Sequence, residues 1–478
     1  MLEVDKEQHL EREAFPEQLT GLLGPYLARQ RWYAGEGQPK AAAVVDCGCL
    51  ARLGDASRSR LLWALVGTQA DLYQLVLAER PGALAEERLA GREDARLGSV
   101  GDKTLYDATI DPEMALALFE VTSGGAMHAK TARPLVGEQS NSSVVYDEEV
   151  ILKLFRRLSP GPNRDAEVTA ALCRAGFAHV AEPLLRWRNG EADLAFGQRY
   201  LAGGTDGWAL ALTSLRDLYD SGRAEPTAGP LETSAPAEPE TEGADFAPEA
   251  ERLGRVTAEM HVALGQALGK TGDWGANWQR LASSLAGALG HLDADLGPGL
   301  SGAASELLGR ISSASELGPA LHPHGDYHLG QVMRTDAGWY VLDFEGEPNR
   351  PVQERMAAVS ALKDVAGMLR SFSYAAQFAL AQVGPGGAAA SLQALADAWE
   401  GRNREAFMRG YLAHPGVDDL LPASPEARET LCAAFELDKA LYELSYERAY
   451  RPNWAEIPMK AVRRLLGGTC TARAGRPA

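Results

Sequence analysis

Among the side chains that can hold protons or metal ions in the stretch HPHGDYHLGQVMRTDAGWYVLDFEGE, His322 to Glu347, Asp326, Gln331, Asp343 and Glu345 stand around short apolar runs. An Asp beside a Gly can simply cap a turn, and a carboxylate after an apolar YVL can simply close a strand. Spacing separates those readings from chemistry. Asp326 and Gln331 are five residues apart. Two short apolar runs with an Asp-Ala-Gly turn between them then carry the chain to Asp343. A carboxylate that accepts a hydroxyl proton, an amide oxygen five residues on and a second Asp just past a strand are three parts of a phosphoryl-transfer site. Phe344 follows Asp343, and Glu345 adds a further carboxylate beside it.

Such a site needs parts from elsewhere in the chain. The protein-kinase motif H-R-D-L-x-x-x-N has the same five-residue step, with Asn where Gln331 stands. Its remaining parts are a strand Lys for the α/β-phosphates and a helical Glu that orients it. EVILKLF places Lys153 in an alternating strand, and DAEVTAAL offers Glu167 on the helix that follows. Taken alone, a strand Lys is as often solvent-facing as functional. Upstream, GEQSNSSVVY (Gly137 to Tyr146) reads as a polar turn between strands whose Ser142 and Ser143 hydroxyls suit phosphate contact. FGQRYLAGGTDGW follows the last strand, and the backbone of Gln198, Tyr200 and Leu201 is the candidate adenine contact. Paired Gly203-Gly204 beyond it suits a hinge. Asp364, opening a helix in KDVAGML, is a cap or a support for the loop around Asp326. His328 is an acceptor contact or a packing residue, and His261 in AEMHVAL reads as a core histidine.

The elements that must position these residues divide the chain. At 478 residues it exceeds one typical domain, and 45% hydrophobic content is ample for cores. Strand-like runs such as SRLLWALVG and DLYQLVLAER dominate the first half. Long helical patterns such as EAERLGRVTAEMHVALGQAL dominate after residue 247. The expected fold class is α+β and two-lobed, with a cap subdomain over 1–105, an intermediate nucleotide-binding subdomain over 106–203 and a mostly helical lobe over 204–470. Residues 221–247, rich in Pro, Ala, Gly and Glu, read as a flexible acidic insertion. No apolar run is long enough to span a bilayer, and the charged N-terminus lacks a signal-peptide core. Five scattered cysteines do not form a disulfide framework, so a reduced, cytoplasmic protein is expected. The formal charge of −18 opposes nucleic-acid binding and obliges an anionic ligand to rely on metal ions or a placed Lys.

HGDYHLGQVMRTDAGWYVLDFEGEP closely resembles the bacterial maltokinases and their sister glucosamine kinases, within the aminoglycoside-phosphotransferase-like kinases. So do RQRWYAG, GPNRDAEV, TDGWALALTSLRDLY, LGRVTAEMH, KDVAGMLRSFSYAA and DKALYELSYERAYRPNWAEIP, which together cover most of the chain. The resemblance implies a bilobal, protein-kinase-like fold with MgATP as phosphoryl donor. It makes Asp326 the catalytic base, Gln331 and Asp343 metal ligands with Glu345 a possible third, and Lys153 with Glu167 the nucleotide-orienting pair. Glu36, Ser373 and Tyr450 depart from the maltokinase pattern and favour glucosamine over maltose as the sugar. In the C-terminal helix, Asp438, Tyr442, Glu443 and Tyr446 share roughly one face. The bland reading is a solvated helix with a Lys439–Glu443 pair. The sharper one has Asp438 and Glu443 accept from sugar hydroxyls and an ammonium, Tyr442 beside them, His328 at the acceptor and Trp454 against the ring. The chain is expected to be a monomer or weak dimer with no nucleic-acid or membrane partner. A catalytically silent pseudokinase is the alternative of a different class; it would lack one of these parts.

Overall fold

The structure, a computed structural model, describes residues 1–467 except 36, 40, 55–57, 70, 136–139, 224–244, 297, 348–349 and 384–388. The expected insertion, Glu36 and Gly137 therefore lie wholly or largely outside the described residues. The chain divides into two compact units, one of Met1–Ala170 with Ala181–Ala202 and one of Ala171–Val180 with Gly203–Ala478.

The first unit is built on two sheets. One runs in the order Glu11–Arg12, Ala43–Leu53, Ser59–Gly67, Leu72–Pro81, Lys103–Asp107, Arg96–Val100, and Arg157–Leu158 pairs with Leu72–Pro81. Its central strands are buried on both faces, which is why their sequences read as continuous apolar runs and not as alternation. Residues 61, 63 and 65 enter one core with the helix Pro112–Thr122, whereas 62, 64 and 66 enter a second core with Leu19, Leu23, Tyr26 and Leu27. The other sheet has the order Leu2–Asp5, Pro183–Asn189, Ala192–Arg199, Val150–Phe155, Asn141–Tyr146, Ala132–Pro134. Its first strand is parallel to its neighbour and the rest are antiparallel. Asn141 already begins a strand, so Ser142 and Ser143 are strand residues and not part of the polar turn expected from GEQSNSSVVY.

The second unit is mostly helical, with Ala247–Ala267, Leu362–Val383, Ala389–Leu412 and Pro425–Tyr450 among its longest elements. A three-stranded sheet, Thr205–Asp206, Val332–Thr335, Gly338–Val341, carries the hairpin legible in the sequence. Among the described residues no helix is long and apolar enough to cross a membrane.

Candidate active site

The hairpin brings together two of the expected metal-ligating positions. Val332 pairs with Val341, and the ladder extends one step further because the Leu342 N–H donates to the Gln331 carbonyl at 2.9 Å. Gln331 and Asp343 thus end the two arms of one hairpin as neighbours. Before it, the short 3-10 helix Leu329–Gln331 is capped by His328, whose Nδ1 accepts from the Gly330 N–H at 3.0 Å. Asp343 has φ +62°, a left-handed conformation that non-glycine residues adopt only when the surroundings enforce it. A carboxylate oxygen of Asp343 and one of Glu345 lie within 4.8 Å of one another.

Asp326 sits on a loop pinned from beneath. Both oxygens of Asp364 accept from that loop, one from His324 N–H at 2.7 Å and the other from Gly325 N–H at 2.9 Å. His261 Nε2 donates to the same carboxylate at 3.1 Å, and its Nδ1 meets the Tyr411 hydroxyl at 2.9 Å. Burial pushes the Asp364 pKa up, but His261 and these N–H donors outweigh it and hold the group below its ordinary value. Asp364 therefore supports the loop and His261 is a core histidine. Gly367, one turn along the same helix, allows the close approach: a Cβ there would lie 2.5 Å from the Tyr327 carbonyl. His324 Nδ1 accepts from the Asp326 N–H, so its Nε2 carries the proton and donates to Leu342 O at 2.8 Å, tying the loop to the hairpin.

The carboxylate of Asp326 is claimed by a residue that sequence reasoning missed. Lys439 Nζ donates to Asp326 Oδ1 at 2.8 Å and to Glu347 Oε1 at 2.6 Å. Arg350 then joins Glu347 at 2.5 Å to Asp438 Oδ2 at 2.7 Å, and both cations lie over the Tyr442 ring. Burial pushes the Asp326 pKa up, yet Lys439 overrides it and holds the acid ionised well below the usual carboxylate range. His328, whose Nε2 is 3.9 Å from Asp326, is pushed down by burial. The i,i+4 partner expected for Lys439, Glu443, instead accepts from Arg370 at 2.5 Å. Burial raises the pKa of Asp438 in spite of Arg350. Trp454 stacks on Phe378 at 4.7 Å between centroids. No local signal marks Lys439: its neighbours three and four positions away are Phe435, Glu436, Tyr442 and Glu443, and the two glutamates suit an ordinary ion pair along the helix.

In the first unit Lys153 meets a carboxylate of the next helix, but not the one expected. Its Nζ donates to Asp165 at 3.2 Å, whereas Glu167 is exposed. Two residues along a helix turn about 200°, so the two acids cannot share a face. Asn163 caps the helix by accepting from the Asp165 N–H at 2.8 Å, which fixes that phase. Ser143 lies directly opposite Lys153 in the ladder and shares its face; Ser142 points to the other face, where its hydroxyl accepts from Arg156 at 2.8 Å. Gln198 remains within the strand, opposite Ile151, and the Tyr200 N–H donates to Glu149 O at 2.7 Å. Leu201, half-buried, lies close to the end of this unit.

A family model described as the maltokinase N-terminal cap domain matches residues 26–111. A glucosamine kinase of Streptacidiphilus jiangxiensis is 28% identical over 374 residues, spanning 74% of this chain and 77% of the relative. One of Mycolicibacterium smegmatis is 27% identical over 372 residues, spanning 74% of this chain and 84% of the relative. A solved glucosamine kinase in complex with glucosamine, ADP and inorganic phosphate superposes with a TM-score of 0.63 at 22% identity, covering 95% of this chain and 99% of that one. That likeness shows the fold: the two-lobed, kinase-like α+β architecture with an N-terminal cap expected from the sequence. Residues 26–111 are thus similar to the maltokinase N-terminal cap, and 74% of the chain is similar to glucosamine kinases.

Proposed function

We propose that this protein is an ATP-dependent sugar kinase that phosphorylates glucosamine at its 6-hydroxyl, with Asp326 as the base. The observation that carries the reading is the half-buried Asp326, held ionised by Lys439 on a loop fixed by Asp364 and hydrogen-bonded to the hairpin that ends in Gln331 and Asp343. An ionised carboxylate in that position orients the acceptor hydroxyl and takes its proton. The amide oxygen of Gln331 and the carboxylates of Asp343 and Glu345 are the hard oxygen donors that Mg²⁺ prefers, and carboxylate oxygens within 4.8 Å of one another suit a shared ion. When bound, Mg²⁺ neutralises charge on the transferred phosphoryl group. Lys153, oriented by Asp165, is the phosphate-binding cation of the other unit, with Ser143 on its face and Gln198, Tyr200 and Leu201 the backbone for the adenine.

Glucosamine is preferred because both curated relatives are named for it and because of the C-terminal helix. Arg350 takes one oxygen of Asp438 and Arg370 one oxygen of Glu443, and among the described residues the second oxygen of each is left for a ligand. Burial raises the pKa of Asp438, and an ammonium such as glucosamine brings would offset that cost by favouring its charged form. His328 and Tyr442 line the same reading. Maltose is the second reading, favoured by the match to the maltokinase cap. The test is Asp326→Asn in the full-length protein with MgATP and glucosamine: the base contributes about 10²–10⁴ in rate, so most turnover is lost while nucleotide affinity stays near wild type. A folded variant that keeps more than about a tenth of wild-type kcat would remove Asp326 from the role.

A further inference from the structure

RQRWYAG has no part in the chemistry above, yet its Trp32 is buried against the end of the strand that carries Lys153. Arg156, directly after that strand and 1% exposed, makes three contacts. Its Nε donates to Ser142 Oγ at 2.8 Å, its Nη2 donates to Asp107 Oδ2 at 2.6 Å, and its guanidinium lies 5.2 Å from the Trp32 ring centroid. Each partner is itself fixed. Asp107 also accepts from Thr109 Oγ1 at 2.6 Å and Thr109 N–H at 2.9 Å, and Trp32 packs against Tyr73 and Tyr26 at 6.0 and 6.4 Å. A cavity of about 70 Å³ lies among Gln30, Trp32, Asp107, Asn141 and Ser142. A planar guanidinium reads two acceptors and one ring face at once, which a lysine ammonium cannot do.

We propose that Arg156 and Trp32 are positioning residues for the nucleotide. They tie the cap to Ser142, the second residue of the strand Asn141–Tyr146, and so set where Ser143 stands opposite Lys153. This rests on the kinase reading, in which Lys153 and Ser143 meet the phosphates. It gives the cap a task in ATP affinity that its sequence does not announce.

The test is a KM split in the full-length enzyme. Arg156→Met raises KM for ATP about tenfold, and Trp32→Leu about threefold, while KM for the sugar and kcat at saturating ATP stay within about twofold. Arg156→Lys, which keeps the charge and one hydrogen bond, recovers part of the loss. Ser142→Ala added to Arg156→Met costs less than the product of the two single effects, because both break one contact. Equal rises in both KM values, an unchanged KM for ATP, or multiplicative effects in the double variant overturn the proposal. If Arg156→Met does not fold, Trp32→Leu and Arg156→Lys give the same split or its absence. A wild-type enzyme that transfers phosphate to no sugar defeats the kinase reading itself; an active wild type without the split defeats this proposal alone.

Discussion

Replacing Lys439 by Met removes the cation that holds Asp326 ionised without touching the carboxylate itself. At 2.8 Å and an effective dielectric of 20 the pair attracts by about 6 kcal/mol as an upper bound. Both side chains are still 16% exposed and Glu347 shares the ammonium, so about a third of that, ~2 kcal/mol, is the working figure. At 1.36 kcal/mol per unit, the loss moves the Asp326 pKa by about 1.5 units. The sign is upward: burial already pushes this acid toward its neutral form and Lys439 is the leading opposing charge. A base acts ionised, so the acid limb of kcat against pH shifts to higher pH by that amount, while Lys439→Arg keeps the wild-type limb. Because the wild-type group sits well below the usual carboxylate range, the assay follows the Asp326 carboxyl by NMR, and kcat at saturating MgATP and sugar, from about pH 7 down to the lowest pH at which circular dichroism shows both proteins folded. An acid limb within about 0.3 unit of wild type in folded Lys439→Met would refute the coupling between this pair and the base.

Asp364→Asn leaves one of the two loop N–H groups, or His261, facing an amide NH₂; the cost is about 3 kcal/mol and shows as a lower urea midpoint. Because the folded pKa of Asp364 is depressed, its stabilisation is present above the unfolded value and fades as pH falls through the folded one, so wild type loses its advantage over the variant on acidification. Asp165→Asn raises KM for ATP severalfold, whereas Glu167→Gln leaves it within twofold; steady-state kinetics that reverse this order would restore Glu167 as the partner of Lys153. Asp343→Asn folds normally, because Asn tolerates the left-handed backbone, but loses at least about 100-fold in kcat; Asp343→Ala loses activity and also about 1 kcal/mol of stability by denaturation.

Gln331 and Asp343 were legible together because a hairpin turns a sequence interval into a spatial one: once YVL and QVM are read as paired strands, their ends must meet. Asp364 was legible as a support for the same loop, since an acid opening a helix has backbone donors within reach. Lys439 was not legible, because it joins Asp326 across 113 positions and Glu347 across 92, and no periodicity encodes such a contact. The expectation of Glu167 as the partner of Lys153 missed the helical phase, which Asn163 sets by capping one residue before the helix and which turns Asp165 to Lys153. Ser142 was misplaced because a polar run looks like a turn even where strand pairing has already begun. In the first unit, continuous apolar runs announced strands buried on two faces but could not say that successive residues would feed two different cores.

The most direct test of the central claim is a sugar panel with the purified full-length protein and MgATP, following ADP release and locating the phosphate by NMR. The account predicts kcat/KM for glucosamine well above that for glucose and maltose, with phosphate on the 6-hydroxyl, because a neutral sugar offers no ammonium to Asp438 and Glu443 beyond their arginine partners. Preferential transfer to maltose, or no transfer to any sugar in the panel, would contradict it.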